Sequence, residues 1–260
     1  MMHVVMFSGG VGSWAAAKRV VDLHGAEHVT LLFADTLVEA DDLHTFLRGS
    51  AAALGAPLVV VADGRTPFQV FRDKRFLGNA RLASCSDYLK QRPCREWLEE
   101  FYPDPVSATV HVGIDWSEIH RLPAVESGWA PYAVSAPLCE APFLTKDDML
   151  AQLAEAGIAA PTAYADGFPH NNCLNQGCVR GGQAYWERLL RNKREVYLRT
   201  EADEEELRAY LDKDVAILRD RSGGTSRPLS LREFRERVEA KPALFDGNEW
   251  GGCGCFVEGP

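Results

Sequence analysis

The stretch His3-Val4-Val5-Met6-Phe7-Ser8-Gly9-Gly10-Val11-Gly12-Ser13 joins a short apolar run to a glycine-rich turn, and Trp14 to Leu23 beyond it is alanine-rich. It reads as strand, tight turn, helix. Three glycines and two serines directly after a first strand put backbone N–H groups and hydroxyls at a helix N-terminus, a geometry that holds phosphate oxygens. The dinucleotide fingerprint needs a different glycine spacing, and the Gly-Lys-Ser/Thr ending of the Walker loop is absent.

Outward from this turn, His28 to Ala34 reads as a second buried strand ending in Asp35-Thr36, followed by a helical stretch from about Glu39 to Leu54 and a third strand, Pro57 to Ala62. Such βαβαβ order implies a parallel sheet covered on both faces. Ala108 to Gly113 is a further strand and Lys146 to Ala156 an amphipathic helix. The expected fold is a doubly wound α/β sheet of about five parallel strands, with its cleft at the strands' carboxyl ends. Beyond residue 160 the texture changes. Asp166 to Gly182 is rich in Gly, Asn and Cys, Gln183 to Arg199 is helical, and the acidic run Glu201 to Glu206 opens a helix to about Lys213. A last helix is expected near Leu229 to Ala240.

The 260 residues are 46% hydrophobic and 25% charged, enough for one large domain or a domain with an appendage. A net charge of -9 disfavours wholesale electrostatic binding of nucleic acid. No apolar run approaches the roughly 18 to 20 residues that span a bilayer, and the start lacks a basic segment followed by a long apolar one. A cytoplasmic protein without membrane contact is expected. Seven cysteines, an odd number with no export signal, favour metal binding or thiol chemistry over a disulfide framework. Cys173 with Cys178, and Cys253 with Cys255, supply up to four thiolates, and His170 lies in the first pair's loop. Zinc and iron–sulfur centres select such ligands; buried or merely free thiols are the alternative. Cys94 and Cys139 read as packing residues.

Ser8 to Ser13 resembles the pyrophosphate-binding loop of the adenine nucleotide α-hydrolase (PP-loop) superfamily, and further segments resemble its phosphoadenosine phosphosulfate (PAPS) reductase-like family. Leu32 to Thr36 is similar to that family's strand-two end, and Cys85 to Pro93 to its cysteine, lysine and proline segment. Gly113-Ile114-Asp115 with Glu118 and Arg121 resembles its Gly-Ile-x-x-x-Glu-x-x-Arg element. Pro161 to Tyr164, then Cys173 and Cys178, resembles its closing stretch. The likeness runs in order over roughly residues 3 to 200.

The resemblance implies a nucleotide-binding α/β domain over residues 1–160 and a cysteine-bearing loop and helical extension over 161–260 on the same core. It implies an adenine nucleotide, adenylyl sulfate or ATP, held by Ser8, Gly9, Gly10, Gly12, Ser13, Asp35 and Glu118. Sulfur transfer or reduction would involve a sulfur-containing substrate or thiol donor, with Cys253, Cys255, Lys90 and Arg121 in catalysis and Arg92 near them. A [4Fe-4S] cluster or zinc would be held by Cys85, Cys173, Cys178 and Cys253. Mg2+ is implied only if ATP is used; Gly12 stands where the ATP-using branch usually has aspartate.

Two other functions share this fold: an ATP-dependent sulfurtransferase acting on nucleic acid, of the tRNA-thiolation or DNA-phosphorothioation type, and a nucleotide-binding or zinc-stabilised adaptor without catalysis. The basic residues Arg180, Arg188, Arg191, Lys193, Arg194 and Arg199 within 180–199 favour the first if they meet phosphate; a solvated helix face is the plainer reading. Asp35 alternatively caps a helix, and Glu118 with Arg121 alternatively forms a surface pair.

Overall fold

Continuous apolar runs suit strands whose two faces are both covered, as a parallel sheet requires. In the computed structural model, which describes residues 1–171 and 173–240, β1 (Met2–Met6), α1 (Val11–His24), β2 (Val29–Asp35), α2 (Leu43–Leu54) and β3 (Leu58–Ala62) follow in turn. Next come α3 (Pro67–Lys74), α4 (Ser84–Ser86), α5 (Arg92–Phe101), β4 (Ala108–His111) and α6 (Leu122–Trp129). β5 (Ala133–Ser135), α7 (Lys146–Glu155) and α8 (Thr162–Ala165) complete this part. The five strands form one all-parallel sheet in the order β3-β2-β1-β4-β5. The architecture is the doubly wound α/β fold expected from the sequence. β5 has only three residues, too few for a period of its own, and is held by its pairing with Thr109 to His111.

Alternation along the strands sends side chains to opposite faces. Val5, Phe7, Leu31 and Phe33 pack with Trp14 of α1, Leu43 and Leu47 of α2, and Met149 and Leu153 of α7. Val4, Met6, Leu32 and Ala34 pack on the other face with Cys94 and Leu98 of α5 and Val125 and Trp129 of α6. Because β2 and β3 wind one way from β1, and β4 and β5 the other, a crevice opens at the carboxyl ends of β1 and β4.

The remaining elements are α9 (Gln183–Asn192), α10 (Arg194–Leu211), the antiparallel pair β6 (Leu218–Asp220) and β7 (Arg227–Leu229), and α11 (Leu231–Ala240). Trp186, Tyr197, Leu207 and Phe234 form a core there, which Phe71 of α3 and Leu77 join. The single helix expected over Gln183 to Arg199 is two helices, because Lys193 adopts φ -138° and ψ 57°. The acidic run is part of α10 and is not all solvated. Glu204 is buried and accepts hydrogen bonds from Ile217 N at 2.8 Å and Leu231 N at 2.6 Å, tying β6 and α11 to α10. No helix among the described residues is long and apolar enough to cross a membrane.

Candidate functional site

The turn from β1 into α1 is shaped by glycine. Gly9 has φ +79°, and a Cβ there would lie 2.2 Å from Leu43 Cδ1. Gly113, just beyond β4, approaches so closely that its Cβ would lie 2.9 Å from both N and Cα of Ser13. Only glycine lets the end of β4 and the first turn of α1 share one wall. α1 has no acidic residue in its first turn, and its N-cap, Gly10, offers no side chain to the free N–H groups. Its positive end therefore faces the crevice uncompensated by its own residues. Val11 N donates to Tyr164 Oη at 2.8 Å, and Ser13 Oγ donates to Gly10 O at 2.8 Å.

A cavity of about 180 Å3 lies against this helix end, lined by residues from five parts of the chain. Ser8, Gly10, Gly12 and Ser13 form its floor; Lys90, Asp115, Glu118 and Arg121 stand on one side; Lys146, Tyr164, His170 and Asn171 close the other. Lys90 is buried, with Nζ 3.8 Å from Glu39 Oε1. Arg121 pairs with Glu118. Lys146, at the start of α7, donates to Pro169 O and lies 4.5 Å from the centre of the Tyr164 ring. Burial lowers the Lys146 pKa. His170 is pushed down to about 4 by burial first and then by the charges of Lys146 and Arg121, so it is neutral at pH 7. Asp115 accepts from Ser117 N at 2.8 Å and Ser117 Oγ at 2.6 Å, which sets the turn that carries Glu118 and Arg121. Three cations, two lining carboxylates and a helix N-terminus make a site for an anion inside an acidic protein.

Of the residues singled out in the sequence, Ser8, Gly10, Gly12, Ser13, Lys90, Glu118 and Arg121 line this one cavity. Gly9 contributes its carbonyl, which accepts from Asn171 Nδ2 at 3.1 Å. Asp35 stands apart. It accepts from Leu37 N at 2.7 Å and pairs with His44 Nε2 at 3.2 Å, so it shapes the turn after β2 and does not line the cavity. Arg92 faces away in an ion pair with Asp87 and over the Tyr88 ring. Lys146 and Asn171 carry no sequence motif that marks them; they reach the cavity because α7 and the loop after α8 pack over α1.

The cysteines separate by environment. Cys94 is in the core and burial pushes its thiol up to about 12; Cys139 Sγ donates to Ile114 O at 3.5 Å. Cys173 is buried, its N donating to Glu39 Oε2 at 2.9 Å and its Sγ 3.7 Å from Thr36 Oγ1. Cys85 and Cys178 pack against the C-terminal core. Among the described residues no group of three or more His, Cys, Asp and Glu side chains is arranged to hold a metal ion, so Cys85, Cys173 and Cys178 alone do not make a metal centre. Cys253 and Cys255 lie outside the described residues. No cysteine lines the cavity among the described residues.

The basic residues of 180–199 are not all solvated, and several are paired. Arg180 is buried with Nε 3.4 Å from Ser86 Oγ, Arg191 pairs with Glu187 at 2.6 Å, and Arg194 with Glu239 at 2.7 Å. The break at Lys193 separates the two groups of charges.

The chain is thus a doubly wound α/β protein with a cavity, lined by Lys90, Arg121 and Lys146, at the N-terminus of its first helix. No protein-family model matches it, and no curated protein matches it. Its structure is similar to that of phosphoadenylyl-sulfate (PAPS) reductase from Candida auris in a phosphate complex, with 18% identity and a TM-score of 0.43, covering 64% of this chain and 77% of that one.

Proposed function

We propose that the chain is a PAPS reductase-like enzyme that binds an adenine nucleotide, an adenylyl sulfate, with its phosphate and sulfate oxygens at the N-terminus of α1. One observation carries this reading: motif residues dispersed from Ser8 to Tyr164, which resemble that family in sequence, line a single cavity. Random surface positions that far apart have no reason to converge. The N–H groups of the loop and first turn donate to anionic oxygens, while Lys90, Arg121 and Lys146 neutralise charge that develops on the leaving phosphate.

In the reaction that fits this arrangement, a thiolate attacks the sulfur of the adenylyl sulfate. An S–S bond forms as the bridging S–O bond breaks, its electron pair leaves with AMP or adenosine 3′,5′-bisphosphate, and the sulfo group (SO3−) remains on the attacking sulfur. The thiol is supplied from outside the described lining, by Cys253, Cys255 or a separate donor. No step is assigned to a metal.

Calorimetric titration of the protein with AMP and with adenylyl sulfate tests the proposal. Binding is expected in wild type and is weakened at least tenfold in Arg121→Gln, since a charge-assisted hydrogen bond contributes ~1.5–3 kcal/mol and Glu118 would lose its partner. An Arg121→Gln protein that binds either ligand as wild type does would overturn this placement.

A further inference from the structure

Glu39 follows β2 and is 7% exposed; its carboxylate meets Lys90 but is not part of the cavity lining. Its Oε1 accepts a hydrogen bond from Thr36 Oγ1 at 2.7 Å and lies 3.8 Å from Lys90 Nζ. Its Oε2 accepts from Cys173 N at 2.9 Å, and Cys173 Sγ lies 3.9 Å from Oε1. Cys173 holds φ +46°, a left-handed conformation that costs a non-glycine residue energy, so its surroundings, Glu39 included, hold it there.

Lys90 lines the cavity with its side chain 9% exposed, and the Glu39 side chain is 4% exposed, so salt and water screen their attraction little. Burial disfavours the charged form of a lysine, and like charges nearby add to that effect, whereas a carboxylate within about 4–6 Å favours it. The cavity supplies the like charges, Arg121 from the turn after β4 and Lys146 from α7. Of the other groups around it, Glu118 pairs with Arg121, and Asp115 accepts from Ser117. His170 is neutral at pH 7, and burial keeps Cys94 of α5 a protonated thiol. Glu39 sets a negative charge against Lys90 inside the buried wall.

We propose that Glu39 is a positioning residue for the anion site, which holds the Lys90 ammonium charged and in place at the cavity wall. This inference rests on the nucleotide reading above and deepens it. Glu39 acts through Lys90 and does not touch the ligand. Because the same carboxylate takes the Cys173 N–H, the charge of the cavity is tied to the seating of the cysteine-bearing loop.

The experiment is titration with AMP, a dianion throughout, from pH 7.5 to 9.0. Glu39→Gln removes the charge and can keep both hydrogen bonds: the amide oxygen accepts from Cys173 N, and the amide nitrogen donates to Thr36 Oγ1, a hydroxyl that also accepts. Over that range Glu39→Gln is expected to lose AMP affinity roughly tenfold more than wild type does, as Lys90 gives up its proton. In Lys90→Arg/Glu39→Gln the guanidinium stays charged, and the wild-type slope should return. Lys90→Met/Glu39→Gln should bind more weakly, again with the wild-type slope.

Parallel profiles for Glu39→Gln and wild type overturn this inference and leave the nucleotide reading standing. An extra alkaline loss that persists in either double variant also overturns it, since Glu39 then acts through the fold and not through Lys90. If Glu39→Gln does not fold, Lys90→Arg alone decides. With Lys90 already held charged, Lys90→Arg should keep the wild-type slope, and a flatter profile overturns the inference. Wild type that does not bind AMP at any of these pH values overturns both readings together.

Discussion

Acidification should weaken the fold through a histidine cluster that no catalytic role occupies. His3 Nδ1 lies 2.9 Å from His111 Nε2, and the His24 ring stacks on His3 with centroids 3.6 Å apart. Burial, and secondarily the neighbouring His3 and His24, push His111 from its ordinary 6.5 down to about 4. His3 is lowered for the same reasons, with His28 and the N-terminus adding to them. A histidine whose pKa is depressed by folding supports stability above its unfolded value and withdraws that support as pH falls toward the folded value. Each pKa unit is ~1.4 kcal/mol, so the interval from 6.5 to about 4 at His111 is worth about 3 kcal/mol.

Glu204 acts in the opposite sense. Burial raises it from 4.5 to about 7, so its contribution is fully present below 4.5 and is lost as pH rises through 7. The two effects offset each other in wild type between pH 4.5 and 6.5. The clean assay is urea denaturation at pH 7, 6, 5 and 4.5 in a Glu204→Gln background, with and without His111→Gln. Over that range the background protein should lose ~2 kcal/mol through His111, because pH 4.5 stops short of its folded pKa, and the double variant should lose markedly less. Equal losses in the two proteins would refute the assignment to His111.

Gly113→Ala should cost ~1–3 kcal/mol in stability and weaken anion binding, because its Cβ meets the backbone of Ser13; thermal melts and AMP titration read both. Gly10→Ala, whose Cβ would lie 3.3 Å from the Tyr164 hydroxyl, should be milder in a melt. The Lys146 pKa lies below the ordinary 10.5, so anion affinity in wild type should fall on alkalinisation before an exposed lysine would deprotonate. Lys146→Arg should hold that affinity to higher pH, and identical pH profiles would count against Lys146 as an anion contact.

The cysteines show where sequence reading stops. Their bunching signals thiol chemistry, but whether three of them meet depends on how the loop after α8 packs on α10 and α3, and that is set by Trp186, Tyr197 and Phe71 at a distance in the chain. Asp35 shows a second limit. Its position after β2 marks a ligand site in this class of sheet, yet a local turn and His44 occupy its oxygens.

Sequence alone determined the parallel α/β class, the glycine-rich turn from β1 into α1 and the strands β1 to β4, because burial on both faces writes a continuous apolar run into each strand and φ > 0 demands glycine at position 9. Only the tertiary structure decided that β5 closes the sheet, that the helix breaks at Lys193, and that Lys146, His170 and Asn171 join Lys90 and Arg121 around one cavity. Local periodicity reports which side of an element is buried. It carries no record of which distant element will be packed against that side, and the site is made of such encounters.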